Sequence, residues 1–161
     1  MKKIIYKYLY NFKMEELIAI VKKGGPKINL STRGITSDTL IRLIPYFRES
    51  EELDLSQNKI SDVGVEALLK SNFLIHTLIL SSNFLTDVSA IALAKSIYPI
   101  HTVNLSRNRI SDVGAKALSR AIHPIHTLNL SNTLITDVGV DFLSKSIHPI
   151  HTLNLSVTHI S

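Results

Sequence analysis

The chain contains no cysteine and no tryptophan among its 161 residues. Without cysteine it has neither a disulfide framework nor thiolate chemistry. It also lacks an apolar run long enough to span a bilayer, a glycine-rich phosphate loop and the His-Glu-x-x-His pattern of a metalloprotease. Hydroxyl side chains are abundant, but they recur periodically, whereas a catalytic residue is normally singular. We therefore expect no enzymatic activity, no cofactor and no catalytic residue.

Outside the first residues the chain also has almost no excess of positive over negative charge. The formal net charge is +5, and residues 1–23 hold six lysines against two glutamates, which leaves +1 for the other 138 residues. A nucleic-acid-binding domain carries its basic residues as a stripe on one face of the fold. The distribution therefore argues against a nucleic-acid partner. Contact of this lysine-rich end with nucleic acid or an anionic membrane is kept as a third alternative.

The second half of the chain is repetitive. The heptapeptide Ile-His-Thr-Leu-x-Leu-Ser, with minor variation, occurs at 75–81, 100–106, 125–131 and 150–156. Weaker copies start at Ser50 and Gly25, so six repeats begin at intervals of 25 residues. A fixed period of this length indicates a solenoid in which stacked units share one core.

Each repeat is predicted to be a strand, a tight loop and a helix of roughly ten residues. In residues 100–124, Val103 and Leu105 alternate with polar residues, as in a strand with one buried face. Ser111-Asp112 then matches a helix start, and Pro124 ends the helix. Because a helix follows every strand, the strands must run parallel with right-handed connections.

The run at 103–118, Val-Asn-Leu-Ser-Arg-Asn-Arg-Ile-Ser-Asp-Val-Gly-Ala-Lys-Ala-Leu, resembles a leucine-rich repeat of the ribonuclease-inhibitor type. The pentapeptides at 114–118 and 64–68 are similar to the bacterial GALA-type subclass. The resemblance implies an α/β fold: a right-handed horseshoe solenoid with a parallel β-sheet on the concave face and α-helices on the convex face. Mammalian ribonuclease inhibitors are rich in cysteine, and this chain departs from them in that respect.

Residues 1–24 are predicted to cap the first repeat with a strand near Ile4–Tyr10 and a helix after it. The apolar stripe of this helix consists of Met14, Leu17, Ile18 and Val21. Gly24-Gly25-Pro26 is expected to stop it. A signal peptide is the alternative, but Lys7 interrupts the apolar run and no small-residue cleavage site follows.

The six repeats fill residues 25–161, and the last one is incomplete because the sequence stops after its strand. Leu153, Leu155 and Ile160 would therefore close the core from one side only. Two interpretations stay open: the chain is a truncated piece, or this end packs on another chain.

Equivalent positions of a solenoid stack in columns. One column contains histidines at positions 76, 101, 126 and 151, with His123 and His148 nearby. A zinc site needs ligands that converge on one point, so a line of imidazoles predicts no metal site. The asparagines at 58, 83 and 108 are predicted to satisfy backbone groups of the turns, and the aspartates at 62, 87, 112 and 137 to cap helices.

Function is expected where the repeats differ on the concave face. Ile79 is the one apolar residue in the fifth position of the repeats, and Phe84 and Leu134 stand out in the tenth position. Acidic residues lie on one side of this apolar centre and arginines on the other, as at many protein interfaces. The predicted partner-binding residues are Glu52, Asp54, Lys59, Thr77, Ile79, Phe84, Thr102, Asn104, Arg107, Arg109, Asn129, Asn132 and Leu134.

We therefore expect a non-catalytic module that binds another protein. The resemblance implies an inhibitor or regulator that sterically blocks an enzyme. The composition, together with the GALA-like repeats, resembles leucine-rich-repeat effectors of intracellular bacterial pathogens. The protein would then be cytoplasmic, or exported into a host cell without a cleaved signal peptide. The alternative function is a structural or oligomerisation module that pairs through its C-terminal edge.

Overall fold

The computed structural model describes the backbone of residues 2–158 and the side chains of residues 13–158. Strands and helices alternate along this part of the chain. In order they are α1 Lys2–Lys23, β1 Lys27–Asn29, α2 Ser37–Leu43, a short 3-10 helix Ile44–Tyr46, β2 Ser50–Asp54, α3 Asp62–Leu69, β3 Ile75–Ile79, α4 Asp87–Ala94, β4 Thr102–Asn104, α5 Asp112–Leu118, β5 Thr127–Asn129, α6 Asp137–Ser144 and β6 Thr152–Asn154.

The six strands form one parallel sheet in chain order. Each strand residue pairs with the residue 25 positions later, so that Leu53 pairs with Leu78 and Leu78 with Val103. A helix links every two successive strands, which confirms the predicted α/β repeat fold with a parallel sheet. Because a helix is about 10 Å wide and strands lie about 4.8 Å apart, the stack curves with its strands on the inner, concave face.

The core runs between the sheet and the helices. In the second repeat Leu53, Leu55 and Ile60 are buried from the strand side, and Val65 and Leu68 are buried from the helix side. Equivalent residues of the later repeats extend the same cluster: Leu78, Leu80, Leu85, Ala90, Leu93, Val103, Leu105, Ile110, Ala115 and Leu118. The third and fifth positions of each repeat therefore face away from the helices, on the concave surface.

The predicted strand near Ile4–Tyr10 is wrong, because α1 is one continuous helix over Lys2–Lys23. No glycine or proline interrupts this segment, and a short apolar run does not distinguish a strand from a helix. The predicted helical stripe is present, since Leu17 and Val21 are buried against the first repeat. The helix ends at Lys23, and the next residue, Gly24, has a φ of +60°, a left-handed conformation that glycine adopts without steric cost.

The last described strand is exposed. All three residues of β6 are exposed, and Leu153 has 36% of its surface accessible. Leu155 is partly buried, and Ile160 lies outside the described residues. None of the described helices combines the length and the apolar character needed to cross a membrane.

Candidate functional site

Asn58 joins the turns of two successive repeats. Its Nδ2 donates to the carbonyl oxygens of Leu55, in its own repeat, and of Leu30, in the preceding repeat, at 2.9 Å each. Its Oδ1 accepts a hydrogen bond from the backbone N–H of Ile35 at 2.9 Å. The two later asparagines of this column repeat the pattern. The column therefore has the architectural role that was predicted for it.

Threonine replaces this asparagine in the fifth repeat. The Thr133 hydroxyl donates to the carbonyl oxygen of Leu130, in its own repeat, at 2.6 Å. A hydroxyl is shorter than an amide and has one donor, so it does not bridge two repeats as Asn108 does. The junction between the fourth and fifth repeats consequently lacks the side-chain bridge that Asn58, Asn83 and Asn108 make at the earlier junctions.

The aspartates at 62, 87 and 112 cap helices, as predicted, but each of these three carboxylates caps the helix of the following repeat. Asp62 accepts hydrogen bonds from the backbone N–H of Thr86 at 2.9 Å and of Ser89 at 3.2 Å. Asp87 accepts in the same way from the backbone N–H of Ser111 at 2.8 Å and of Gly114 at 3.0 Å. The carboxylates therefore tie successive helices together as well as neutralising their N-termini.

Two carboxylates of this column, those of Asp62 and Asp112, are held in the charged form. Burial by itself would raise the pKa of Asp62, but hydrogen bonds from the side chains and backbone of Ser89 and Thr86 outweigh it, and the pKa lies below its ordinary value. Burial also raises the pKa of Asp112, and hydrogen bonds from Thr136 and Gly139 lower it by more. Carboxylates that serve as structural acceptors are poor candidates for general acids or bases.

The close approach of each carboxylate to the next helix explains the glycine of the Gly-Ala-x-Ala-Leu segment. A Cβ atom on Gly114 would lie 2.6 Å from Asp87 Oδ1 and 2.6 Å from Ile110 Cγ2, which is too close for either atom. In the third repeat Ser89 occupies the equivalent position, and its hydroxyl donates to Asp62. Glycine therefore makes room for the cap rather than providing backbone flexibility.

The fifth-position column contains one exception to an otherwise regular turn. Asn104 Oδ1 accepts from the backbone N–H of Ser106, two residues later, at 3.0 Å. The same bond is made in the other repeats by Asn29, Asp54, Asn129 and Asn154. Ile79 has no acceptor on its side chain, so the third repeat lacks this bond. Polarity at this position is therefore mainly structural, and the apolar Ile79 is the departure that needs an explanation.

The tenth-position residues form a second ladder beside the ends of the strands. The backbone N–H of Phe84 donates to the carbonyl oxygen of Ile60 at 2.9 Å, and Arg109 donates equivalently to Leu85 at 2.8 Å. Phe84 is 58% exposed, so it does not fold back onto the core. Lys59 and Arg109 are exposed on the turns on either side of it. An aromatic side chain is therefore presented between two cations.

The predicted partner-binding residues lie in adjoining columns. Asp54, Ile79 and Asn104 are neighbours across β2, β3 and β4 in the register, and Asn129 continues their column on β5. The third-position column beside them contains Glu52, Thr77 and Thr102. Glu52 forms an ion pair with Lys27 at 3.0 Å.

The remaining predicted residues lie in the turns after the strands. Arg107 and Asn132, in the eighth position, are exposed and have a left-handed φ of 55°. Leu134, in the tenth position, is 49% exposed on the turn next to Arg109. All thirteen predicted residues thus belong to repeats 2 to 5 and lie on or beside the concave sheet surface.

The histidine column stacks its rings. The ring centroids of His76 and His101 are 5.7 Å apart, and those of His101 and His126 are 5.1 Å apart. Burial, followed by the proximity of His126, His76 and His123, lowers the pKa of His101. Within the described part of the chain, no group of histidine, aspartate and glutamate side chains could hold a metal ion.

Comparison with known proteins identifies the repeats. Residues 51–69, 71–94 and 99–119 match the family model described as Leucine Rich repeat. The crystal structure of the BIR2 ectodomain from Arabidopsis thaliana is similar, with 21% sequence identity, coverage of 78% of this chain and 67% of that chain, and a TM-score of 0.40. No curated protein matches the sequence. The matched residues, all within 51–119, are therefore leucine-rich repeats, and domains built from such repeats generally bind other proteins and are typically non-catalytic.

Proposed function

We propose that this leucine-rich-repeat protein is a non-catalytic module whose concave face binds a partner protein, with Ile79 and Phe84 as apolar anchors. The observation that carries the proposal is the hydrogen bond missing at Ile79. The five other repeats have an asparagine or aspartate there, and each makes that bond. A position that departs from a stabilising local rule and presents an apolar side chain is expected at a functional site.

The surroundings of Ile79 support the same conclusion. Phe84 follows it in the same repeat and is 58% exposed. Lys59 and Arg109 flank Phe84, and Asp54 and Asn104 flank Ile79. Interface hot spots commonly combine an aromatic or aliphatic anchor with arginine and a polar rim that excludes water.

The test is affinity capture followed by binding measurements on the purified partner. The variant Ile79→Asn/Phe84→Arg replaces both anchors with residue types found at the same positions of neighbouring repeats, so the fold should persist. The matched control is Val63→Ser/Val113→Ser, which changes two side chains that are 62% and 59% exposed at the start of α3 and α5. We expect the anchor variant to lose at least about tenfold in affinity and the control to bind normally. Equal binding by the anchor variant would contradict the proposal.

We further propose that the partner is an enzyme whose active site becomes blocked, and that the protein acts in the cytoplasm of its own cell or of a host cell reached without a cleaved signal peptide. The support is the resemblance of 103–118 to ribonuclease-inhibitor repeats and of 64–68 to GALA-type repeats. Titrating the captured enzyme with the protein should reduce its turnover until the two are equimolar. Unchanged turnover in a stable complex would leave binding intact and remove inhibition from the proposal.

Self-association is a second candidate function, favoured by the exposure of β6. An open strand edge can pair with another strand through its free backbone groups. Under this alternative, analytical ultracentrifugation should show an oligomer whose population rises with concentration and falls in Leu153→Asp. A monomer at all accessible concentrations would eliminate it.

A further inference from the structure

The return loops from the helices to the next strands carry a pattern that the concave site does not use. Residues 95–101, 120–126 and 145–151 each begin with lysine or arginine, expose an isoleucine two residues later and contain no acidic residue. We call these three segments together the return-loop edge. The isoleucines are Ile97, Ile122 and Ile147, which are 65%, 59% and 62% exposed.

The exposure of these isoleucines is specific to their position. Three residues later in the same loops, Ile100 and Ile125 point into the core and are 7% exposed. The backbone N–H of Ile122 donates to the carbonyl oxygen of Ala94, and that of Ile147 to Ser119, at 2.9 Å each. The exposed side chains are therefore held in a fixed row along the solenoid rather than on mobile turns.

The cations of the return-loop edge are largely uncompensated. In the second and fifth repeats an acid four residues earlier pairs with the basic residue, as Asp141 does with Lys145 at 2.7 Å. In the third and fourth repeats that earlier position holds Ile91 and Lys116 instead. Among the described residues, neither Lys95 nor Arg120 forms an ion pair. Exposed pairs such as that of Lys145 are worth little, so all three cations remain available to an anionic partner.

An apolar groove adjoins this edge. It lies between α3 and α4, has a volume of about 520 Å³ and includes Ile97 in its lining. The other lining residues are the apolar Leu69, Val88, Ile91 and Ala92 and the polar or charged Glu66, Lys70, Lys95 and Ser96. Lys95 and Ile97 thus belong both to this groove and to the return-loop edge.

We propose that the return-loop edge docks on the surface of an anionic lipid bilayer. The cations would lie at the lipid phosphates and carboxylates, and the isoleucines would enter the boundary between headgroups and acyl chains. A protein hot spot normally concentrates its apolar atoms in one recessed, desolvated patch with aromatic anchors. Here separate aliphatic side chains alternate with cations in a regular row, an arrangement that suits a fluid and laterally uniform anionic surface.

The test is co-sedimentation of the full chain with vesicles of phosphatidylcholine alone and of phosphatidylcholine mixed with phosphatidylserine. The protein should bind the mixed vesicles, and binding should fall with added sodium chloride. Lys95→Glu/Arg120→Glu should lower the partition coefficient by about 25-fold or more, at about fivefold for each cation lost. Ile97→Ser/Ile122→Ser/Ile147→Ser should lower it by at least about tenfold. Circular dichroism should show that both variants are folded.

Two matched controls locate the contact. Lys22→Glu/Lys23→Glu makes the same charge change on α1, and Val63→Ser/Val113→Ser/Val138→Ser changes three other β-branched side chains that are 57% to 62% exposed. Both should bind the mixed vesicles like the unmodified protein. Absence of binding to mixed vesicles at low salt would overturn the proposal. So would binding that survives both edge variants, binding that is lost in the Lys22/Lys23 variant alone, or a preference for an acidic protein or nucleic acid over the vesicles.

Discussion

The carboxylate of Asp87 accepts a hydrogen bond from the backbone N–H of Gly114, 27 residues later, at 3.0 Å. Asp87 lies in the first turn of α4, and Gly114 lies in the first turn of α5. The side chain of Asp87 therefore belongs to α4 and caps the N-terminus of α5. A Cβ atom on Gly114 would lie 2.6 Å from Asp87 Oδ1, so the carboxylate would have to move. Ser89, at the equivalent position of the third repeat, has a side chain there, and its hydroxyl donates a hydrogen bond to Asp62.

The first prediction follows from this contact. Gly114→Ala should lower the free energy of unfolding by about 1–3 kcal/mol, because the added methyl group forces the carboxylate and Ile110 apart. Gly64→Ala is the matched control, since its Cβ would meet Ile60 and Ser37 at 3.0 Å and faces no carboxylate. Urea unfolding followed by circular dichroism measures both. A smaller cost at Gly114 than at Gly64 would contradict the explanation.

The second prediction concerns the stability of the folded chain at low pH. Since hydrogen bonds hold the pKa of Asp62 below its ordinary value, the stability that this group contributes is fully present above the unfolded pKa of about 3.9 and is lost as pH falls through the folded pKa. Asp62→Asn should cost about 1 kcal/mol at neutral pH, through loss of the cap, and should weaken the dependence of stability on pH below about 4. Urea unfolding across this pH range tests it, and an unchanged pH dependence in the variant would count against the assignment.

The third prediction separates binding from stability at Ile79. Ile79→Asn supplies the acceptor that the turn lacks, so the free energy of unfolding should stay constant or rise by up to about 1 kcal/mol. Partner binding should nevertheless fall, because the anchor is gone. Thermal unfolding and calorimetric titration on the same preparation give both quantities. A variant that loses stability and binding together would indicate a structural role for Ile79 instead.

The fourth prediction concerns the junction at Thr133. Thr133→Asn should restore the bridge that Asn108 makes one repeat earlier and raise the free energy of unfolding by about 1–2 kcal/mol. Thr133→Ala should lower it by about 1 kcal/mol, because it removes the hydrogen bond to Leu130. Hydrogen exchange of the fifth-repeat amides locates the effect. Slower exchange in Thr133→Asn that is confined to another part of the chain would contradict this prediction.

The fifth prediction concerns the stacked histidines. The folded-state pKa of His101 is lowered, so acidification from neutral pH destabilises the folded chain as pH falls from the unfolded value of about 6.5 towards the folded value. Titration by NMR should give His101 a pKa below the ordinary one. In His76→Gln/His126→Gln the pKa should rise towards the ordinary value, because two neighbouring positive charges are removed. No upward movement would show that the neighbours do not interact with it.

The repeat architecture could be predicted from the sequence because the same residue pattern occurs six times. A buried leucine in one copy identifies buried residues in the others, and Asn58 predicts the role of Asn83. The segment before the repeats has no such redundancy, and its predicted strand was wrong. The capping of the next helix by Asp62 could not be predicted either, because Asp62 and the backbone N–H of Thr86 that it binds are 24 residues apart.

The candidate sites show a similar division. Ile79 was identified by comparing the repeats with one another. The structure shows what makes it unusual: in the other five repeats the side chain at this position accepts a hydrogen bond that isoleucine cannot accept. The return-loop edge escaped the sequence analysis because Ile97 and Ile100 are the same residue type three positions apart. Their exposures of 65% and 7% follow from the path of the loop, which the sequence does not specify directly.

The cross-links between repeats have a consequence for how such a chain can change its length. Asn58 reaches back 28 residues to Leu30, and Asp87 reaches forward 24 residues to Ser111. Removing or duplicating a stretch of 25 residues would leave every such partner in place, whereas any other length would shift asparagine, aspartate and glycine columns against one another. A gene of this kind can therefore gain or lose whole 25-residue repeats. Each added repeat enlarges the concave surface and leaves the contacts of the core unchanged.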